Sequence, residues 1–94
     1  MYTIRRLKDF EVSFRRISRS GLKPSSIKKI ENTIDILAYG KPLPPSYKDH
    51  KLTGDLKDFR ECHIQPDLLL IYKVEKKELV LVLVNIGSHS YLFK

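Results

Sequence analysis

Three histidines in the second half of the chain are the residues best suited to chemistry at neutral pH. They are His50, His63 and His89. Imidazole has the unperturbed pKa nearest neutrality, so it can both accept and donate a proton there. His50 and His63 lie in the polar stretch 47–67, and His89 lies in a second polar run, GSHSYLF. Composition alone leaves two interpretations open, an acid–base site or three scattered surface histidines.

Other chemistries match these residue types less well. The histidines with Asp67 could supply metal ligands, but their spacings fit no common zinc pattern, and the sequence has neither HExxH nor CxxC. The single cysteine, Cys62, cannot form an internal disulfide. A lone cysteine in a strand is most often a small buried side chain. We therefore expect no metal and no other cofactor, and acid–base catalysis is favoured.

Acid–base groups of this kind suit the cleavage of RNA without a metal. One group takes the proton from the 2′-OH, and another protonates the leaving 5′-oxygen. A cation or hydrogen-bond donors must also stabilise the negative charge that develops on the phosphate. Each general acid or base typically contributes about 10²–10⁴ in rate. Imidazoles and carboxylates together can fill the first two roles.

The charge of the chain predicts a polyanionic partner. The formal net charge is +7, and most of it lies in the first half. Residues 1–46 hold ten Lys and Arg against four Asp and Glu, whereas residues 47–94 hold eight against seven. Such a field attracts nucleic acid, an acidic protein or an anionic membrane surface. The candidate phosphate contacts are Arg15, Arg16 and Arg19 of the first predicted helix, and a merely solvated basic face is the alternative.

The composition is typical of one small domain, which we expect to span residues 1–94. The hydrophobic fraction of 41% is ordinary for a folded protein. The longest apolar runs, at 68–72 and 79–84, are far too short to span a bilayer. The first ten residues lack the apolar core of a secretory signal. These features predict a soluble cytoplasmic protein that does not bind membranes.

The hydrophobic pattern predicts a short first strand followed by two helices. Residues 2–6 suit an edge strand, and apolar residues at spacings of three and four predict a helix over 7–19. A second helix is predicted over 24–39, because Pro24 suits a first helical position and Gly40 ends it. Two amphipathic helices joined by a few residues are typical of an antiparallel hairpin.

Three strands are predicted after a long connection at 41–58. They cover 58–64, 68–74 and 78–86, and the last two are apolar on both faces, which predicts central positions in the sheet. The final apolar residues, 91–93, are compatible with a short edge strand. The predicted class is α+β, in the order β-α-α-β-β-β. The helical hairpin would pack on a mostly antiparallel sheet of four to five strands.

Strand alternation predicts which polar side chains share a face. Glu61 and His63 should share one face of the first of these three strands. Leu83 and Asn85 should likewise share a face of the last strand. If the two faces point the same way, Glu61, His63 and Asn85 line one concave surface. The other two histidines could then close over it.

The sequence resembles the YafQ-type toxins of bacterial toxin–antitoxin pairs, within the RelE/ParE superfamily. The resemblance lies in YKDHKLTGDLKDFRECHIQPDLLLIYKV and the final GSHSYLF, and it covers residues 44–94. The helices match in length and pattern. The resemblance implies a RelE-like fold and a type II toxin that cuts mRNA in the ribosomal A site. Its implied partners are rRNA, mRNA and a cognate acidic antitoxin, and the free toxin would be a monomer.

The resemblance also implies roles for single residues. His50, His63, Asp67 and His89 fall on the acid–base and substrate-positioning residues of the family. Among them, His89 is the expected general acid and His50 a candidate base. Phe93 falls on a C-terminal aromatic that contacts a base of the RNA. A purely structural Phe93 that closes the core is the alternative.

Three positions depart from the family pattern. Asn85 stands where members often carry an arginine that would stabilise the phosphate. Leu68 stands at a position that can be aromatic, and Glu61 stands where some members have an aspartate. Candidate replacements for the missing charge are Lys48, Lys51 and Arg60. The asparagine leaves open a non-catalytic inhibitor of the same fold, either a gyrase-binding ParE-like protein or a ribosome binder.

Overall fold

Three helices and five strands are formed by residues 1–93, the part of the chain that the computed structural model describes. In chain order they are β1 (Thr3–Arg6), α1 (Lys8–Arg19), α2 (Pro24–Ala38), β2 (His50–Lys51), β3 (Arg60–Gln65), β4 (Leu68–Glu75), β5 (Val80–Gly87) and α3 (His89–Leu92). In this range no helix is both long and apolar enough to cross a membrane.

The five strands form a single sheet in the order β1-β5-β4-β3-β2. The first strand pairs with β5 in parallel, and the other three pairs are antiparallel. The central positions of β4 and β5 agree with their apolar sequences. The predicted α+β fold, with two helices before a mostly antiparallel sheet, is confirmed.

Helices α1 and α2 bury their apolar stripes against one face of the sheet. Phe10 and Ile17 of α1 and Ile30 of α2 are among the buried core residues. Burial of one such side chain contributes about 1.5–3 kcal/mol. Truncating Ile30, which is 1% exposed, would cost about 2–5 kcal/mol because a cavity would remain. We refer to this side of the sheet as the helix face.

The strand register defines what stands on the opposite side, which we call the site face. His50 pairs with Glu61, Glu61 with Ile71, and Ile71 with Asn85. Residues directly opposite each other in an antiparallel pair point to the same face. The row from His50 to Asn85 therefore lies on one side of the sheet. A second row, His63–Leu69–Gly87, runs beside it.

The prediction that Leu83 and Asn85 share a face of the sheet was wrong, because β5 contains an irregularity. The register shifts between Tyr72, which pairs with Leu83, and Ile71, which pairs with Asn85. Val84 is the extra residue, so the alternation changes phase at that point. Leu83 is buried in the core on the helix face, whereas Asn85 lies on the site face with Glu61.

Two predictions about short segments were wrong. Residues 91–93 do not add a strand, because α3 begins at His89. The Ser88 hydroxyl accepts a hydrogen bond from the Tyr91 N–H at 3.2 Å, which caps the first turn of α3 and favours a helix over a strand. The predicted connection 41–58 contains the two-residue strand β2.

Candidate active site

A buried carboxylate lies between two imidazoles on the site face. Oε1 of Glu61 is 3.1 Å from Nε2 of His63 and 3.8 Å from Nε2 of His50. The centroids of the two rings are 6.4 Å apart. The Glu61 side chain is only 4% exposed, whereas that of His50 is 51% exposed. His50 is therefore open to solvent, His63 is only 20% exposed, and the carboxylate between them is withdrawn from solvent.

The surroundings of His50 determine which of its ring nitrogens can take up a proton. Nδ1 lies 2.6 Å from the carbonyl oxygen of Lys48. A carbonyl oxygen can only accept a hydrogen bond, so Nδ1 carries the hydrogen. Lys48 adopts a left-handed conformation, with φ 48° and ψ 41°, which turns its carbonyl toward the ring. Nε2 is therefore the basic nitrogen of His50, and it faces Glu61.

The arrangement of Glu61 with His50 and His63 suits proton transfer. One carboxylate oxygen faces both Nε2 atoms, so it stabilises a positive charge on either ring. A hydrogen bond from His63 Nε2 to Glu61 also fixes the orientation of that ring. The cluster thus places a ring N–H that donates, on His63, beside a ring nitrogen that can accept, on His50, and acid–base catalysis requires both kinds of group.

The third histidine belongs to a separate group around the start of α3. Asp67, in the turn between β3 and β4, accepts a hydrogen bond from the backbone N–H of His89 at 2.9 Å. The His89 ring packs beside Phe93, with centroids 5.2 Å apart and planes tilted by 47°. His89 is exposed and Phe93 is partly buried. An accessible imidazole therefore stands beside an aromatic surface.

The two groups lie at the same end of the sheet. His63, Leu69 and Gly87 form one row across three strands, and His89 follows Gly87 by two residues. Neighbouring strands are spaced by about 4.8 Å, which places the Gly87 backbone about 10 Å from that of His63. The site face thus carries His50 and His63 on one side of this span and His89 on the other.

Asn85 shares the site face with Glu61 but is separated from it by Ile71. Its Oδ1 accepts a hydrogen bond from the backbone N–H of Ile86 at 2.9 Å. The amide NH2 consequently points away from that backbone group, and it is a donor without charge. Asn85 also lines a small depression with Lys8 and Tyr91.

The three arginines of α1 are exposed, and one of them reaches the site. Within residues 1–93, Arg15, Arg16 and Arg19 take part in no ion pair. The guanidinium of Arg16 lies 4.1 Å from the centroid of the Tyr91 ring. Arg16 also borders a groove that Asp67 of the β3–β4 turn and Ser88, the residue before α3, help to line. The basic face of α1 is therefore continuous with the edge of the site.

The strand register excludes two of the three candidate cations, Lys51 and Arg60, as replacements for the family arginine, because it places them on the face opposite Asn85. Lys51 pairs with Arg60, and Arg60 pairs with Tyr72, a core residue, so both cations belong to the helix face. Arg60 also donates a hydrogen bond to Asp49 at 3.3 Å. The third cation, Lys48, is exposed, and its backbone carbonyl contacts the His50 ring.

Cys62 lies on the face of the sheet opposite Glu61 and His63. Cys62 is fully buried on the helix face, and burial raises the pKa of its thiol to about 12. It is therefore a core residue and not a nucleophile. Across the described part of the chain, no group of three or more His, Cys, Asp or Glu side chains is placed to hold a metal ion.

The sequence did not predict the hydrogen-bonded group formed by Tyr72, Asp49 and Arg60. The hydroxyl of Tyr72 donates to Oδ1 of Asp49 at 2.6 Å, and Arg60 donates to the same oxygen. A signal was present, because strand alternation puts Tyr72 in the core, where its hydroxyl needs a partner. The identity of that partner could not be inferred, because Asp49 lies in an irregular segment.

Comparison with known protein families gives one match along almost the whole chain. The family model described as the bacterial toxin of type II toxin–antitoxin system, YafQ, matches residues 2–94. The mRNA interferase toxin YafQ of Escherichia coli (strain K12) is 46% identical over 52 residues, which is 55% of this chain and 54% of that protein. The putative toxin YafQ of Haemophilus influenzae is 47% identical over 55 residues, 54% of each chain. The matched segments span about half the length of these relatives.

Solved structures match over the full length. A metal-bound toxin from Helicobacter pylori is 46% identical and has a TM-score of 0.89, with 99% of this chain and 100% of that chain covered. YafQ from Escherichia coli BL21(DE3) is 26% identical, with a TM-score of 0.88 and 100% of both chains covered. The Escherichia coli DinJ–YafQ complex matches with 27% identity, a TM-score of 0.87 and the same coverage.

Proposed function

The chain belongs to the YafQ family of type II toxin–antitoxin toxins, and from that premise we propose that it is a metal-independent mRNA endoribonuclease. The observation that carries the proposal is the pair of imidazoles that share the buried Glu61 carboxylate. In the proposed reaction, the 2′-oxygen attacks the adjacent phosphate and the 5′-oxygen leaves. The products are a 2′,3′-cyclic phosphate and a free 5′-hydroxyl.

Each histidine has a distinct role in this mechanism. His50 accepts the 2′-hydroxyl proton at Nε2, the nitrogen that its contact with Lys48 leaves basic. His89 protonates the leaving 5′-oxygen from the other side of the site. His63, hydrogen-bonded to Glu61, positions the phosphate and contributes positive charge when it is protonated. Phe93, beside His89, offers a surface on which an RNA base can stack.

Charge stabilisation at the phosphate is the weakest part of this mechanism. Asn85 supplies a neutral donor where family members often carry arginine, and hydrogen bonds to neutral groups contribute about half as much as charge-assisted ones. His63 is the other proposed contact of the phosphate. We therefore expect slower cleavage than in a protein with arginine at position 85.

The proposed partners follow from charge and family membership. The exposed Arg15, Arg16 and Arg19 would bind rRNA phosphates and orient the toxin on the ribosome, where mRNA enters the site. The cognate partner is an acidic antitoxin, in line with the DinJ–YafQ complex of the relative. With these partners, the proposed location of the toxin is the cytoplasm, and its proposed states are a monomer when free and a hetero-oligomer with its antitoxin.

Primer extension on a translated mRNA tests the proposal. The protein should cut the message at positions that depend on translation, and His89→Ala should abolish the cuts. Ser90→Ala is the matched control, since Ser90 is exposed in the same short helix and has no role in the reaction. Equal cleavage by the unmodified protein and His89→Ala would refute the assignment.

The second candidate is a non-catalytic inhibitor of the same fold, and Asn85 is the residue that favours it. Such a protein would halt growth by binding gyrase or the ribosome and would leave mRNA intact. Expression of the toxin followed by RNA sequencing of 5′ ends separates the two. Growth arrest without new 5′ ends would select the inhibitor.

A further inference from the structure

The side chains of Asp49 and His50, at the edge of the sheet, point to opposite faces of it. Asp49 directs its carboxylate to the helix face, where it contacts Tyr72 and Arg60. His50 directs its ring to the site face, toward Glu61. Two adjacent residues are therefore held from opposite sides of the sheet, and none of the roles proposed above uses Asp49 or Tyr72.

The contacts of Asp49 are strong for a segment this close to the surface. The Tyr72 hydroxyl donates at 2.6 Å, and Arg60 adds a charge-assisted bond to the same oxygen at 3.3 Å. Tyr72 is 2% exposed, so its hydroxyl has little access to water. Burial, together with the hydrogen bond to Asp49, raises the pKa of Tyr72, so the hydroxyl remains a donor at neutral pH.

The segment that carries His50 is also restrained on either side of the Asp49 contacts. The Lys48 N–H donates to the Pro45 carbonyl, the Leu52 N–H donates to the Phe59 carbonyl, and Tyr47 packs against the core. Strand β2 comprises two residues, which pair with Glu61 and Arg60 at the edge of the sheet. His50 is half exposed, and its ring is oriented by the carbonyl of Lys48. The backbone between Lys48 and His50 is that of Asp49. The contacts of the Asp49 side chain therefore add to the restraints on the carbonyl that sets the His50 tautomer.

We propose that Asp49, Tyr72 and Arg60 form a clamp on the helix face that positions His50 on the site face. All three are positioning residues, because they lie behind the sheet and act through the backbone of the Lys48–His50 turn. The contribution of the clamp to RNA cleavage rests on the proposed function. Its contribution to the geometry of His50 does not, and the two are tested separately.

The first experiment compares Asp49→Ala, Tyr72→Phe and the double variant. Asp49→Ala alone leaves the buried Tyr72 O–H without an acceptor, because Arg60 can only donate to the Tyr72 oxygen, so the midpoint of urea denaturation should fall. The double variant removes both partners, and Arg60, with its side chain 38% exposed, can turn to water. Its stability should therefore return close to that of the unmodified protein.

Cleavage by the double variant decides whether the clamp acts on His50. A displacement of a catalytic group by about 1 Å lowers rates by about 10²-fold. We expect the double variant to cut mRNA about 10²-fold more slowly despite its recovered stability. In a His50→Ala background, the same two substitutions should have no further effect. Recovery of normal cleavage and stability with an unchanged His50 tautomer would overturn the proposal and leave the contacts a purely structural role.

The second experiment needs no RNA. Long-range ¹H–¹⁵N NMR on the free protein reports which nitrogen of each histidine carries the hydrogen. We expect Nδ1–H at His50 in the unmodified protein and a mixture dominated by Nε2–H in the double variant. The His63 signals should not change. An unchanged His50 tautomer in the double variant refutes the clamp, whereas a changed tautomer with normal cleavage refutes the catalytic role of His50.

Discussion

Asp67 shows how a carboxylate beside a candidate general acid can act without carrying a proton. Its Oδ1 accepts the backbone N–H of His89, the first residue of α3. The first N–H groups of a helix have no partner within the helix, so an acceptor from another segment anchors that end. Asp67 thereby ties the β3–β4 turn to the backbone that carries the His89 ring.

Two substitutions of Asp67 separate anchoring from proton transfer. In Asp67→Asn the amide oxygen can still accept the His89 N–H, so cleavage should stay within a few-fold of normal. In Asp67→Ala the acceptor is lost, and cleavage should fall about 10²-fold because the His89 ring is displaced. Single-turnover cleavage rates check both. A loss in Asp67→Asn as large as that in Asp67→Ala would instead identify Asp67 as a proton carrier.

Cys62 predicts how stability responds to alkaline pH. Its folded pKa of about 12 exceeds its ordinary value of 9.0 because the thiol is buried. Between these values the native state retains a proton that the unfolded state has lost, so stability falls as pH rises. The slope is about 1.4 kcal/mol per pH unit for one retained proton. Cys62→Ala should reduce the slope of unfolding free energy against pH by this amount above pH 9, measured by urea denaturation.

At the scale of the elements, the sequence carried most of the fold. The stripe of Phe10 and Ile17, Pro24 at the first position of α2, and the apolar runs of β4 and β5 each predicted their element, because local pattern determines burial there. The bulge at Val84 could not be predicted. An extra residue leaves the composition of a strand unchanged and alters only its pairing with a partner.

The candidate site divides in the same way. The proximity of Glu61 to His63 follows from alternation within one strand. The contacts of Asp67 with His89, and of Asp49 with Tyr72, join residues 22 and 23 positions apart. Such contacts depend on how turns approach strands, which a local pattern does not encode. Helix α3 is a further case, since four residues are too few to show a periodicity.

Gly87 allows a test of how closely α3 must pack on β5. A Cβ atom at position 87 would lie 2.7 Å from Cδ2 of the Tyr91 ring. Gly87→Ala should therefore push Tyr91, and with it α3, away from the sheet. The cost is about 1–3 kcal/mol, typical of overpacking. The rate of RNA cleavage should fall even where the protein remains folded, because His89 and Phe93 move with α3.

Hydrogen exchange of the α3 amides, compared with those of β4, measures this displacement. Faster exchange confined to α3 is the expected result for Gly87→Ala. Gly21→Ala is a suitable comparison, since nothing lies within 4 Å of a Cβ there and its cost comes from backbone strain at φ +92°. Unchanged exchange and cleavage in Gly87→Ala would show that α3 tolerates the displacement.

At the scale of the whole molecule, the basic face of α1 lies next to the candidate active site. The basic face of α1 borders the groove at Asp67 and Ser88 through Arg16. Each phosphate contact contributes about −0.7 to −0.9 to the slope of log affinity against log salt. Replacing Arg15, Arg16 and Arg19 by alanine should therefore make the slope for ribosome binding less steep by about 2–3. The His89→Ala background prevents cleavage during the measurement.

The matched control removes the same amount of charge far from the groove. Lys41, Lys76 and Lys77 are exposed, and the last two lie in the β4–β5 turn, at the other end of the sheet from Gly87. Their replacement by alanine should change the slope by less than about 1. Equal changes in the two triple variants would mean that binding depends on net charge and not on the face of α1.

The position of β5 in the sheet has a consequence for the order of synthesis. Strand β1 is translated first, yet its neighbour is β5, which also lies beside β4. Until residue 87 has left the exit tunnel, β1 has no strand to pair with and β4 lacks one of its two neighbours. Contacts between distant segments form late in folding. A nascent copy would therefore lack a complete sheet, and with it the row of residues from His50 to Asn85 on the site face, until β5 has emerged from the ribosome.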